Sequence, residues 1–280
     1  MNYFHYVVDE EELTIEKLLL DKWKIGKKTV HQMRMDKAVT DPSGEPVDWR
    51  IPLPLNAVLH FHFHAKSDYE QDDVSGVDIL FEDEHIIAAV KPAGISVHPN
   101  EKDNGGTFMN AMMKSIATNG GEYVEHIHRL DQGTSGIILC AKHPIAKSIM
   151  DRKLEQHEVT RIYHAEVEGV MKRTKGVLNY PIGRDRHHST KRRVSPSGQK
   201  ATTHFRVMER RSDSTTVEAS LVTGRTHQIR VHFSHIGHPV VGDTLYDGSP
   251  TEDGQYRLAA KKISFEHPIT EKPITIEWIV

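Results

Sequence analysis

Residues 126–142, HIHRLDQGTSGIILCAK, constrain this chain more than any other stretch: one aspartate, Asp131, stands between a polar approach and the apolar run GIILCA at 136–141. Gly133 and Gly136 allow a tight turn around it, and Thr134 and Ser135 can bond the loop's own backbone. The segment therefore predicts a shaped loop that feeds a buried strand and presents a carboxylate at the strand's foot. Taken alone, Asp131 would pass as an ordinary turn aspartate.

The rest of the chain predicts many strands in an irregular order with helices. ILFEDEHIIAAVKP (79–92) reads as two strands around a polar turn. Phe108, Met112 and Ile116 recur every four residues, which predicts a helix over 107–118 stopped by Gly120 and Gly121. Pro144 opens a helix carrying Ile145, Ile149 and Leu154. Tyr163, Ala165 and Val167 alternate as on a strand, as do Val217, Ala219 and Leu221, and the Thr223–Gly224 turn leads into a helix with Ile229, Phe233 and Ile236. Strands outnumber helices, so the expected fold is α+β on a mixed, largely antiparallel sheet with flanking helices and a central cleft. Residues 1–64 read as a small α+β unit of helix, basic helix, turn and strand. The polar, acidic stretch 65–76 reads as a linker, and 77–280 as the catalytic body.

Charge and composition narrow the function classes. There are 36 basic and 39 acidic residues, a balance that by itself disfavours a nucleic-acid partner. Its distribution reverses that: between 171 and 206 ten basic residues, among them Arg184, Lys191, Arg192 and Arg193, meet one acid, Asp185. Such an excess suits a phosphate backbone, though a charge run is more often a solvated face. The only cysteine, Cys140, excludes an intramolecular disulfide. No run of about 18 apolar residues is present, so no membrane partner is expected, and the acidic turn of MNYFHYVVDEEE does not read as a secretory signal; a cytoplasmic location and a monomer are expected. Twenty histidines invite a metal hypothesis, but neither His60, His62 and His64 nor His232, His235 and His238 has a carboxylate at a familiar ligand spacing. No GxxxxGK[ST], GxGxxG or GxSxG occurs.

Five stretches together resemble the RluA-type pseudouridine synthases: KPAGISVHP (91–99), HRLDQGTSGIILCAK (128–142), RIYHAEVEG (161–169), LVTGRTHQIRVHFSHIGHPVVGD (221–243) and ISFEHP (263–268). They span most of the chain in the family's order. The resemblance implies isomerisation of specific uridines in structured RNA, ribosomal RNA ahead of transfer RNA, without metal or organic cofactor. By position it makes Asp131 the essential aspartate, Tyr163 the aromatic beside the target base and Arg225 the cationic partner of the carboxylate. It makes Arg129 an RNA contact near the flipped nucleotide, and implies RNA contacts from His128, Lys91 and the basic stretch, with Leu258 an apolar wall to the base. The chain departs from the family pattern in three places: Arg161 where Lys is usual, Asp247 inserted in LYDG, and Leu258-Ala259-Ala260 in place of Leu-His-Ala. The N-terminal unit resembles the small alpha-L RNA-binding domain, through the basic helix of KIGKKTVHQMRMD (24–36); an inert appendage is the alternative.

The implied reaction breaks N1–C1′, turns the uracil and joins C5 to C1′. An ionised carboxylate can attack C1′ or remove a sugar proton, and the sequence does not choose between these. Burial against substrate would favour the neutral acid; a guanidinium, always charged and able to pair through two N–H groups, opposes this. Two rival readings remain at this stage, a non-catalytic RNA-binding or ribosome-assembly protein and a metal-dependent hydrolase built on the histidines.

Overall fold

The computed structural model describes residues 3–99 and 105–279. The N-terminal unit comprises β1 (Tyr3–Val7), α1 (Ile15–Lys17) running into a π-helical turn (Leu18–Lys22), α2 (Lys27–Met35), β2 (Val39–Thr40) and β3 (Val58–His62). The strands form one antiparallel sheet, β1–β3–β2. Thr14 caps α1 by accepting the Lys17 N–H at 3.2 Å. The wider π turn brings Trp23 N–H to the Leu18 carbonyl and buries Leu18, Leu19 and Trp23 against Phe4 and Phe61. β1 is absent from the sequence reading; its Phe4 and Tyr6 alternate inward. His60 and His62 share a face of β3, as strand alternation requires, and pack against the Tyr3 ring there.

The remaining elements are β4 (Asp78–Glu82), β5 (Ile86–Lys91), α3 (Phe108–Ala117), β6 (Glu125–His126), β7 (Ser135–Ala141), α4 (Pro144–Glu155), β8 (Thr160–Glu168), β9 (Lys175–Asn179), β10 (Ile182–Arg184), β11 (Arg192–Val194), β12 (Thr202–Arg210), β13 (Ser214–Leu221), α5 (Gln228–His235), β14 (Leu258–Glu266) and β15 (Pro273–Glu277). Ten strands join in one sheet ordered β4–β5–β7–β14–β8–β13–β12–β9, with β15 beside β14 and β6 beside β7. Every pairing in it is antiparallel except β14 with β7, where Ala259 and Ala260 face Ser135 and Gly136. The expected α+β class and mixed, largely antiparallel sheet are found.

β5 and β7 are apolar without alternation because both faces of the sheet are covered there. Ile87, Ala89, Ile138 and Cys140 pack on Phe108, Met112 and Ile116 of α3. The residues of opposite parity, Ile86, Ala88, Ile137, Leu139 and Ala141, pack on Ala146 and Met150 of α4. Thr107 and Asn110 form a capping box at the start of α3, and His143 Nδ1 accepts the Ala146 N–H at the start of α4, ahead of Pro144.

Residues 65–76 contain no helix or strand, but they are not a free linker. Ser67 donates from its N–H to the Glu122 carbonyl and from Oγ to the Val124 carbonyl, the Tyr69 hydroxyl donates to Glu125, and Asp72 accepts the Gly106 N–H. Polar composition marked the segment as solvated, whereas its side chains are those that strap an extended chain to a surface. The N-terminal unit is docked as well. The Phe4 ring stacks on His143 at 4.0 Å, Ile145, Ile149 and Ile269 complete its apolar cluster, and Arg152 donates to the Trp23 carbonyl at 2.6 Å. Among the described residues no helix is long and apolar enough to cross a membrane.

Candidate active site

The parallel seam between β7 and β14 places Asp131. Gly136 has φ +114°, and a Cβ there would lie 2.2 Å from the Ala260 carbonyl oxygen; only glycine lets the two strands meet. Gly133 lies against the Tyr256 ring, 2.6 Å from where its own Cβ would be. The Thr134 N–H closes a turn on the Asp131 carbonyl at 3.0 Å, and Thr134 Oγ1 meets the Tyr256 hydroxyl at 3.1 Å. Lys91, expected to contact RNA, does not reach the surface. It is fully buried, and its Nζ donates to the carbonyls of Pro92, Ile95 and Gln132 at 2.8, 3.0 and 3.0 Å. Burial pulls its pKa down to about 8, against the pull of Asp131 in the other direction. Lys91 thus laces the loop after β5 to the aspartate loop.

The guanidinium on Asp131 is that of Arg230, not Arg225. Arg230 Nη1 donates to Asp131 Oδ2 at 3.2 Å. Its Nε and Nη2 grip both oxygens of the buried Asp243 at 2.7 and 2.8 Å, and its plane lies between the rings of Tyr246 (4.9 Å) and Tyr256 (4.5 Å). Burial disfavours the charge on Arg230, but the hydrogen bonds it donates to Asp243, with the nearby negative charges, outweigh it and the pKa rises. Asp243 and the two tyrosines hold the fork, and its remaining edge is offered to Asp131. Arg225 lines the same groove, but it is exposed and its Nε donates to the Lys200 carbonyl at 3.1 Å. The reason lies in helix geometry. Arg225 belongs to the outer turn before α5, whereas Arg230 sits in the first turn of a helix buried from Gln228 to Phe233.

His227 caps α5 in a left-handed conformation, φ 59°. Its Nε2 stands 4.0 Å from Asp131 Oδ1, and its Nδ1 meets the Tyr246 hydroxyl at 2.7 Å. Burial, opposed by Asp131, lowers its pKa, so the ring adds no full positive charge at neutral pH. The Asp131 side chain keeps 24% exposure and looks into a groove of about 840 Å³. Tyr163, Leu258, Arg129 and His128 also line that groove, as does Arg161. Tyr163 is buried, which pushes its hydroxyl pKa up. Arg129 is exposed and donates to His98 at 3.1 Å.

The basic stretch forms a two-stranded ribbon, β10–β11, in which Arg184 faces Arg192 and Gly183 faces Arg193. It joins the site through Tyr246: the Arg192 N–H donates to the tyrosine hydroxyl at 2.8 Å and Lys191 Nζ stands over the ring at 5.4 Å. Arg184 and Arg193 are exposed.

Sequence reasoning missed Arg230, His227, Asp243, Tyr246 and Tyr256. A signal for two of them was present: Arg230 stands between Ile229 and Val231 in a short helix, an arginine drawn inward with such neighbours needs a carboxylate, and Asp243 closes the same motif. Nothing local marks Tyr256.

The mixed sheet thus sets an aspartate at its one parallel seam among the described residues, paired with an arginine and open to a groove that Arg129 and Arg225 also line. Residues 85–235 match the RNA pseudouridylate synthase family, and residues 3–59 match the RluD ribosomal pseudouridine synthase N-terminal domain. The chain belongs to the pseudouridine synthase family, the isomerases that turn uridine of RNA into pseudouridine. It is 46% identical over 220 residues to the uncharacterized RNA pseudouridine synthase YhcT of Bacillus subtilis (strain 168), covering 75% of this chain and 73% of that one. It is 39% identical over 192 residues to the ribosomal large subunit pseudouridine synthase D of Pseudomonas aeruginosa, covering 68% of this chain and 59% of that one. Its fold resembles that of human RNA pseudouridylate synthase domain containing 1, with a TM-score of 0.61 at 22% identity over 75% of this chain and 86% of the other.

Proposed function

We propose that this chain isomerises uridine in ribosomal RNA, with Asp131 as the essential carboxylate, working where ribosomes are made, in the cytoplasm. The observation that carries this is Asp131 itself: a half-open carboxylate, tied on one side to Arg230, facing a groove large enough for an extruded nucleotide. Similarity to relatives named for the ribosomal large subunit, over both the catalytic domain and the N-terminal unit, supports ribosomal over transfer RNA.

The reaction moves a bond within the nucleotide. N1–C1′ breaks, the uracil turns, C5 bonds to C1′, C5 loses a proton and N1 gains one, so nothing leaves. Asp131 either attacks C1′ or takes a sugar proton, and Arg230 holds its charge and orientation in both cases. The uridine must leave its stack, at a cost of a few kcal/mol. Tyr163 offers a buried aromatic face to the base, a contact worth roughly 1–3 kcal/mol, Leu258 walls it, and Arg129 occupies the space it leaves. Arg225 and the ribbon carrying Arg184, Lys191, Arg192 and Arg193 hold phosphates and supply affinity without sequence information.

Mapping pseudouridine across the cellular RNA of a deletion strain, complemented with wild type or with Asp131→Asn, tests this. One or a few large-subunit positions should lose the modification and regain it only with wild type. Loss confined to transfer RNA would refute the ribosomal assignment.

A further inference from the structure

Beyond Asp131 the groove wall holds a second feature that the reaction as described does not use. Arg161 and Tyr163 lie on the same buried face of β8. Arg161 is only 8% exposed, yet among the described residues its guanidinium forms no ion pair and no hydrogen bond, and its buried Nε has no partner. It fits under the loop before α5 because position 224 is glycine: a Cβ there would lie 3.1 Å from Arg161 Nη1. A buried charge without a counter-charge is costly, and folds seldom keep one without a use for it.

Two other groups of the groove wall have unmet needs of the same kind. His128 Nε2 accepts the Leu139 N–H at 3.3 Å, so its proton sits on Nδ1, which is buried and unpartnered. Burial, with the nearby Arg161 charge, holds this ring neutral, with its pKa down to about 3. His98 Nε2 accepts from Arg129, so its proton too is on a buried, unpartnered Nδ1. These three orphan groups, all in the groove wall, are donors, and a ligand that satisfies them must bring acceptors. The uncompensated charge of Arg161 requires that one of these be anionic. Two other groove cations are already paired with carboxylates, Arg230 with Asp131 and Asp243 and Lys147 with Asp151, while Arg129 and Arg225 are exposed and reach solvent.

We propose that Arg161, with the Nδ1–H donor of His128 nearby, forms an interior phosphate subsite that grips a backbone phosphodiester of the RNA beside the target uridine. The proposal rests on the reading of the groove as an RNA site, and it separates this cation from the rim ribbon: the ribbon gathers RNA, while Arg161 fixes the strand at the depth of Tyr163.

The test uses the full chain and Arg161→Met and Arg161→Lys variants. It measures thermal unfolding without RNA and equilibrium binding of an unmodified large-subunit ribosomal RNA transcript across a salt series. Because the guanidinium has no partner in the free protein, Arg161→Met should melt at the wild-type temperature or above it. Its plot of log affinity against log salt should be shallower by about 0.7–0.9, the contribution of one phosphate. Arg161→Lys should keep the wild-type slope with weaker binding, since a point charge replaces the fork. A drop of several degrees in Arg161→Met would show that the guanidinium is paired inside the fold and overturn the proposal. Equal slopes for wild type and Arg161→Met would also overturn it, by showing that the partner is a neutral acceptor. A wild-type chain that fails to bind the transcript would defeat the RNA reading itself and the subsite with it.

Discussion

Replacing Arg230 with Gln should damage this enzyme far more than the same change at Arg225, and the structure sets the size of the difference. The Arg230 side chain is 7% exposed and that of Asp243 1%. Removing the cation leaves Asp243 buried without its partner, and breaking a buried pair from one side costs about 3–5 kcal/mol. At roughly 2–4 °C per kcal/mol for a chain of this size, the melting temperature should fall by about 6–20 °C. Arg225 is exposed and holds one carbonyl, so Arg225→Gln should stay within about 0.5 kcal/mol of wild type. A double variant, Arg230→Gln with Asp243→Asn, should recover part of the loss, with a coupling of about 0.5–3 kcal/mol. Thermal and urea unfolding of the four proteins, with pseudouridine formation measured below the lowest melting temperature, provides the assay. Arg230→Gln should be inactive while folded, because Asp131 loses the donor at 3.2 Å. Equal melting temperatures for the two single variants, or strong activity in Arg230→Gln, would refute the assignment of Arg230 as the organising cation.

Three further outcomes follow from the geometry. Gly136→Ala, at φ +114° and 2.2 Å from the Ala260 carbonyl oxygen, should split the β7–β14 seam and reduce soluble folded protein, as expression and thermal unfolding would show; a normally stable variant would contradict the seam. Stability should fall on acidification. His85 and His126 have pKa values lowered by burial to about 4 and His128 to about 3, so the fold favours their neutral forms; that contribution is complete above the unfolded value of 6.5 and is lost as pH falls toward 4 and below, with His85 alone worth about 3 kcal/mol. Urea midpoints from pH 7 to pH 4 would check this, and a flat profile would contradict it. Reversing both Arg192 and Arg193 to Glu should weaken RNA binding at low salt and flatten its salt dependence, with little change in unfolding; an unchanged slope would remove the ribbon from the RNA-binding surface.

Much of this architecture was legible because the signals are local. The continuous apolar runs at β5 and β7 and the four-residue spacing of Phe108, Met112 and Ile116 give elements found within a residue or two. The motif around Asp131 gives the loop. What was illegible depends on contacts between distant parts of the chain. The pairing of Ala260 with Gly136 joins strands more than a hundred residues apart, and no periodicity announces it. Arg225 took the cationic role from its position in the motif the chain shares with its family, whereas the choice between it and Arg230 depends on which side of α5 meets Asp243. The strap at 65–76 has a linker's composition, and only the carbonyls and carboxylate it meets at Glu122, Val124 and Glu125 reveal its function. β10 and β11 are short and polar, with no alternation to read.

The central claim is that the Asp131 carboxylate performs the chemistry, and single-turnover pseudouridine formation by purified Asp131→Asn on an unmodified large-subunit ribosomal RNA transcript tests it most directly. The account predicts no detectable product, with RNA affinity and melting temperature close to wild type. Product formed at the wild-type rate would contradict it.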